Sequence, residues 1–378
     1  MRRLLLWTVV VLLLYFAWPI ITEPQHTKEQ SAIETLKTEI TNIKDNPEFS
    51  SILDTIYTEF TLLISKLTNT LQESSEEELL VEPTKPKKSE LAKPSNQTFA
   101  INNIEIGTSK EEVEQKLGMA KRTTLNEYGT EWHAYHNNYQ DFIMISYNED
   151  DSVNGIYTNQ DLISSTIGIQ KGSSMEDVKN HLGEGLNEIK KGNVYFQLPE
   201  DKEYGLYTMD ESYITIFYDK HSNNTVTSIQ IISKELEHEK ETIYAPKSQQ
   251  LVEGFEFQLF DITNATRVNH SLSILKWDDH VRGTARAHSE DMALNQYFDH
   301  VSLDGQSPFD RMLEDDLVFT VAGENLAAGQ FSSIFAHEGL MNSLGHRENI
   351  LKNEYEFLGI GVAFNSESLP YYTENFYR

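Results

Sequence analysis

Three side chains in the C-terminal third of the sequence, His300, Glu324 and His346, are of the types that bind a borderline metal. Two imidazoles and a carboxylate can hold zinc and leave a position open for water or a ligand. A water polarised there, with Glu324 as ligand or general base, is the chemistry of a metal-assisted hydrolase. Each residue stands just after or beside a turn signal, but they are far apart in sequence, so only a fold can bring them together. Other catalytic patterns fail. His337-Glu338 begins a zinc-protease motif, yet Met341 occupies the place of the second histidine. There is no G-x-S-x-G elbow. His288 falls on a helical stripe with Val281, Ala285 and Met292, the place of a packed core histidine rather than a ligand.

The blocks around these residues are more specific than the residues themselves. Phe260 to Arg267 opens a helix, a second helix leads into Tyr297-Phe298-Asp299-His300, and Asp304 to Arg311 follows. Then come Ala322-Gly323-Glu324-Asn325-Leu326-Ala327, Asn342-Ser343-Leu344-Gly345-His346-Arg347-Glu348-Asn349-Ile350-Leu351, Gly359 to Ala363 and Tyr371 to Phe376. In this order and spacing, residues 250–378 resemble the CAP superfamily, also called SCP or PR-1-like, in its bacterial form.

The resemblance implies an α-β-α sandwich with a central antiparallel sheet, and a cavity that many relatives line with a His, Glu, Glu, His set. His300 and Glu324 match the first histidine and the Gly-Glu-Asn glutamate of that set. Ser343 stands where the second glutamate would be, and Tyr371-Tyr372-Thr373-Glu374 stands for His-Tyr-Thr-Gln. In the bacterial branch His346 points into the same space. The pocket implied is therefore His300, Glu324, His346, Tyr371, Ser343 and Asn325. Because the ligand set is reduced, no cofactor is required, zinc on His300, Glu324 and His346 being the one candidate. A ligand-binding pocket is the leading reading, a buried polar network that fixes loops the plainer one, and a zinc-dependent, peptidase-like hydrolase the alternative function. Strand alternation puts Tyr371 and Thr373 on one face and Tyr372 and Glu374 on the other. Arg347 suits a carboxylate or an anion, while Pro308-Phe309-Asp310-Arg311 reads as a helix start with a structural role.

Several elements must position this domain. Ile106 to Val113, ending at Leu117-Gly118, recurs as Lys171 to Val178, ending at Leu182-Gly183, an offset of 65 residues at every position. Thr108 or Ser109, and Ser173 or Ser174, suit an N-cap, and each glycine suits a helix end. Strand-like runs follow each copy, Phe142 to Tyr147 and Tyr213 to Tyr218, so residues 98–235 read as two units of one helix plus a small antiparallel sheet, similar to the domain that accompanies certain bacterial CAP proteins. His133 beside Trp132 in this region reads as structural.

At the N-terminus, Arg2 and Arg3 precede an apolar run from Leu4 to Ile21. This predicts a membrane anchor over 1–22 with everything after it exported, a cleaved signal peptide and secretion being the alternative. Residues 23–72 read as a stalk of two short amphipathic helices, and the Pro-, Glu- and Lys-rich 73–97 as a linker.

Composition bounds the rest. The 378 residues carry 31 basic and 59 acidic side chains, a formal charge of −28, which disfavours a nucleic-acid partner. The absence of cysteine excludes disulfides, thiol nucleophiles and cysteine zinc sites. The expectation is an α+β protein held at the cell membrane, binding a small ligand, lipid or envelope component.

Overall fold

The computed structural model describes residues 90–199 and 203–378. The expected anchor, stalk and most of the linker lie outside the described residues. Among the described residues no helix is long and apolar enough to cross a membrane. The last linker residues are tied to the first repeat, with the Ser95 N–H donating to Glu105 Oε1 at 2.8 Å.

The first copy comprises β1 (Phe99–Ile101), α1 (Lys110–Leu117), β2 (Arg122–Leu125), β3 (Glu131–Asn137), β4 (Gln140–Tyr147) and β5 (Val153–Thr158). The second comprises β6 (Ile163–Ser165), α2 (Met175–Leu182), β7 (Glu188–Lys191), β8 (Val194–Gln197), β9 (Tyr204–Met209), β10 (Ser212–Asp219) and β11 (Thr225–Ser233), before the short α3 (Lys234–Glu239). Of the possible caps, Ser109 and Ser174 are used, their hydroxyls accepting from the N–H groups of Glu112 and Asp177. Gly118 and Gly183 end the helices at φ 77° and 78° with ψ near −165°, a region open essentially to glycine.

The two copies do not keep separate sheets. β5 pairs antiparallel with β11, Ile156 opposite Ile231, and joins them into one seven-stranded sheet ordered β2-β3-β4-β5-β11-β10-β9. The junction covers two edges that isolated sheets would leave unpaired. Strand alternation sends Ile143, Ile145, Ile214 and Ile216 to a core shared with Val113 of α1 and Val178 of α2. Phe142, Met144 and Phe217 go to the opposite face.

That second face packs on the C-terminal domain. Here follow α4 (Gln249–Asn269), β12 (Lys276–Trp277), α5 (Asp279–Asn295), α6 (Pro308–Glu314), β13 (Ala322–Ala328), α7 (Ser333–Asn342), α8 (Leu344–Ile350), β14 (Phe357–Phe364) and β15 (Pro370–Tyr377). The sheet runs β12-β14-β15-β13, antiparallel except for the short parallel pairing of β12 with β14. α5 lies against one face so closely that a Cβ on Gly361 would sit 2.0 Å from the Arg286 nitrogen. On the other face Phe255 of α4 stacks on Tyr372. The three layers of the expected sandwich are present.

The two domains share a core, in which Leu251, Phe255, Leu259 and Phe260 of α4 join Phe142 and Met144. Arg122 Nε pairs with Asp261 Oδ2 at 3.0 Å across the boundary. Burial raises the Asp261 carboxyl to about 6, with Arg122 pulling the other way. The domains form one compact unit, as expected where an internal interface is extensive and apolar.

Candidate functional site

Glu324 is the centre of the site. It sits on β13, an edge strand of the four-stranded sheet, with a side chain only 1% exposed. His300 Nδ1 lies 2.9 Å from Oε1, and Arg311 Nη2 donates to Oε2 at 2.7 Å. Arg311 comes from α6, whose start is fixed by a capping box between Ser307 and Asp310 and by Pro308 in its first turn. It also donates to the His300 carbonyl at 2.9 Å, so one guanidinium fixes both the carboxylate and the loop that carries the imidazole. The Arg311 motif, expected to be purely structural, thus supplies a charged partner of Glu324. A helix start and a carboxylate clamp look alike in sequence, and only the fold distinguishes them.

His300 itself is about half exposed, 48% of its side chain facing solvent. His346 on α8 is partly buried, and its Nδ1 has no hydrogen-bond partner in the protein. Burial lowers its pKa, and the charge of His300 lowers it further.

The remaining expected residues divide between faces. Tyr371, 8% exposed, packs with Met292, Leu326 and Ala363 on the α5 side. Thr373 shares that side through its 2.8 Å contact with Ser289. Asn325 points the other way and is fully buried, donating to Glu374 Oε2 at 3.0 Å and to the His346 carbonyl at 3.1 Å. Ser343 joins α7 to α8 through its backbone, and its side chain makes no capping hydrogen bond.

Behind Asn325 runs a buried polar chain that the sequence did not suggest. Thr263 Oγ1 donates to Glu374 Oε1 at 3.3 Å and lies 3.4 Å from His337 Nδ1, and Thr266 Oγ1 lies 2.7 Å from His337 Nε2. Because Thr263 gives its proton to Glu374, a consistent arrangement has the His337 Nδ1–H donating to Thr263 and Nε2 accepting from Thr266. This is the neutral imidazole, in keeping with a pKa that burial lowers to about 3. Burial also raises Glu374 to about 7, against the pull of its Asn325 and Thr263 hydrogen bonds.

As a metal centre the set does not fit. Glu324 Oε2 already accepts from Arg311 and Oε1 lies against His300 Nδ1, so a cation would have to compete with an adjacent guanidinium charge and with the imidazole. Among the described residues no group of three or more His, Asp or Glu side chains is placed to hold a metal ion. The geometry instead favours a fixed polar site offering hydrogen bonds.

The fold and these residues define a two-domain protein of the CAP class. Residues 106–243 match the profile described as CAP-associated N-terminal, and residues 260–376 match that of the cysteine-rich secretory protein family, even though the chain contains no cysteine. It is similar to the uncharacterized membrane protein YlbC of Bacillus subtilis (strain 168), 29% identical over 290 residues, covering 72% of this chain and 82% of that one. It is also similar to the uncharacterized protein YkwD of the same organism, 38% identical over 135 residues, which cover 36% of this chain and half of YkwD. Among solved structures, an extracellular protein containing an SCP domain from Bacillus anthracis str. Ames superposes with TM-score 0.64 at 26% identity, over 77% of this chain and 99% of that one. A cysteine-rich secretory protein from Staphylococcus aureus shares the fold, with TM-score 0.59 at 17% identity over 78% and 96% of the two chains.

Proposed function

We propose that the protein is a membrane-tethered, extracytoplasmic ligand-binding module whose C-terminal domain takes a small amphiphile of the cell envelope. The observation that carries this reading is the pairing of a held, half-exposed imidazole, His300, with the unpartnered Nδ1 of His346. Between them they offer a donor and an acceptor to the polar end of a ligand. Phe298, Val301 and Leu303 flank His300 in the chain and are 54%, 46% and 68% exposed, an apolar surface suited to a hydrocarbon portion. The similarity to a protein named as a membrane protein supports the tether, and the likeness to an extracellular SCP-domain protein supports export.

The test is titration of the purified full chain with decanoate and with phosphatidylglycerol vesicles, followed by calorimetry. Saturable binding that His346→Ala weakens about tenfold, with unchanged circular dichroism, is expected. A wild-type chain that binds neither probe, or a variant that binds equally well, overturns the reading.

A further inference from the structure

A polar cavity of about 250 Å³ lies where the second repeat meets α4, α7 and α8. Lys171, Asp219, His270, His337, Glu338 and Arg347 are among the residues that line it. Most of this polarity is matched within the protein. Arg347 Nη2 pairs with Asp219 Oδ2 at 2.9 Å, and Glu338 Oε1 accepts from Tyr157 at 2.9 Å and Ser228 at 2.7 Å. His337 is held by the two threonines described above.

Two groups stand apart. The Lys171 ammonium carries three donors, of which the Asn159 carbonyl takes one at 2.5 Å. Asn159, 3% exposed, directs Nδ2 to the Ile262 carbonyl and to Thr266, but its Oδ1 has no hydrogen-bond partner in the protein. An unmatched buried acceptor is costly, because it gives up its hydrogen bonds to water without replacing them. A cationic donor and an unmatched acceptor therefore belong to two residues already in contact, on the wall of one cavity.

The internal repeat makes the lysine more telling. With the offset of 65, Lys171 corresponds to Ile106, which packs against the core under α1. An apolar residue suffices in the first copy, whereas the second copy places a cation on the cavity wall. Burial pulls this lysine down to about 8, with Glu338, Asp161 and Asp219 acting against that. A bound anion would oppose that fall by favouring the charged form.

We propose that this interdomain cavity binds a small carboxylate that also carries a hydrogen-bond donor, an amino or hydroxy acid, with the carboxylate on Lys171 and the donor on Asn159 Oδ1. The volume lies below the roughly 300–1,000 Å³ of drug-sized sites, which restricts the occupant to a small molecule. Because Lys171 and Asn159 come from one domain and Thr266, Asn269 and His270 from the other, occupancy bridges the two. This site is independent of the one at Glu324.

The experiment is thermal unfolding and calorimetric titration of the full chain with alanine, lactate and propionate, the last supplying the same anion without the donor. Alanine or lactate is expected to bind saturably and raise the melting temperature, with propionate at least tenfold weaker. Lys171→Met, with a wild-type circular dichroism spectrum, is expected to lose the response, and Lys171→Gln serves where the methionine variant does not fold. No saturable response to alanine or lactate overturns the proposal, as does equal binding by propionate or an undiminished response in the folded lysine variant.

Discussion

Tyr157 and Glu338 meet across the boundary between the domains, the tyrosine hydroxyl donating to Oε1 of a fully enclosed glutamate at 2.9 Å. Ser228 donates to the same oxygen at 2.7 Å. Burial raises the Glu338 carboxyl to about 7, with both hydroxyls opposing that rise. Tyr157→Phe removes one of two donors to a buried acid. Urea unfolding at pH 8 should show a loss of about 1.5–3 kcal/mol, the range for hydrogen bonds to charged groups. A loss below a few tenths would mean that the bond does not secure the interface.

Glu374 gives a pH signature with a definite sign. Its carboxyl is raised to about 7 in the folded protein, so the folded chain holds a proton there that the unfolded chain, near the ordinary 4.5, has released. The resulting stabilisation is fully present below about 4.5 and is lost as pH rises to about 7. Glu374→Gln removes this dependence. The stability difference, wild type minus variant, should fall by about 3 kcal/mol between those limits, and a difference flat with pH would contradict the assignment.

Arg311→Leu leaves Glu324 inside the protein without its guanidinium. Removing one partner of a buried pair costs about 3–5 kcal/mol, so the denaturation midpoint should fall sharply, while Arg311→Lys should recover part of it. A leucine variant within 1 kcal/mol of wild type would show that the clamp is dispensable.

Gly254 on α4 faces β2 so tightly that a Cβ would lie 2.1 Å from the Leu125 carbonyl oxygen. Gly254→Ala should force the helix away from the repeat sheet and lower the melting temperature. Overpacking of this kind costs about 1–3 kcal/mol. An unshifted transition would place the contact outside the stabilising interface.

Much of the local structure was legible because it rests on short-range rules. Ser109, Ser174, Gly118 and Gly183 bound the repeat helices at positions that capping chemistry marks. The two faces of β15 follow from alternation, with Thr373 against Ser289 of α5 and Glu374 against Thr263 of α4. What depends on sequence-distant contact was not legible. The union of β5 with β11 leaves no such trace, whereas the unbroken apolar run Phe142-Ile143-Met144-Ile145 of β4 marks a strand covered on both faces. Arg311 gave no sign of its hold on Glu324, since a helix cap explained its motif completely. His337 and Glu338 looked like a failed protease motif and prove to be interface polar groups.

Among the described residues, the shared core leaves no breakpoint between the repeat domain and the C-terminal domain. Phe142 and Met144 on one domain and Leu259 and Phe260 on the other have no separate apolar interiors to retreat to. A fragment cut near residue 245 would expose a greasy face on each half and invite aggregation. A change of side-chain volume on either surface must be answered on the other, so in this chain the two surfaces are constrained together.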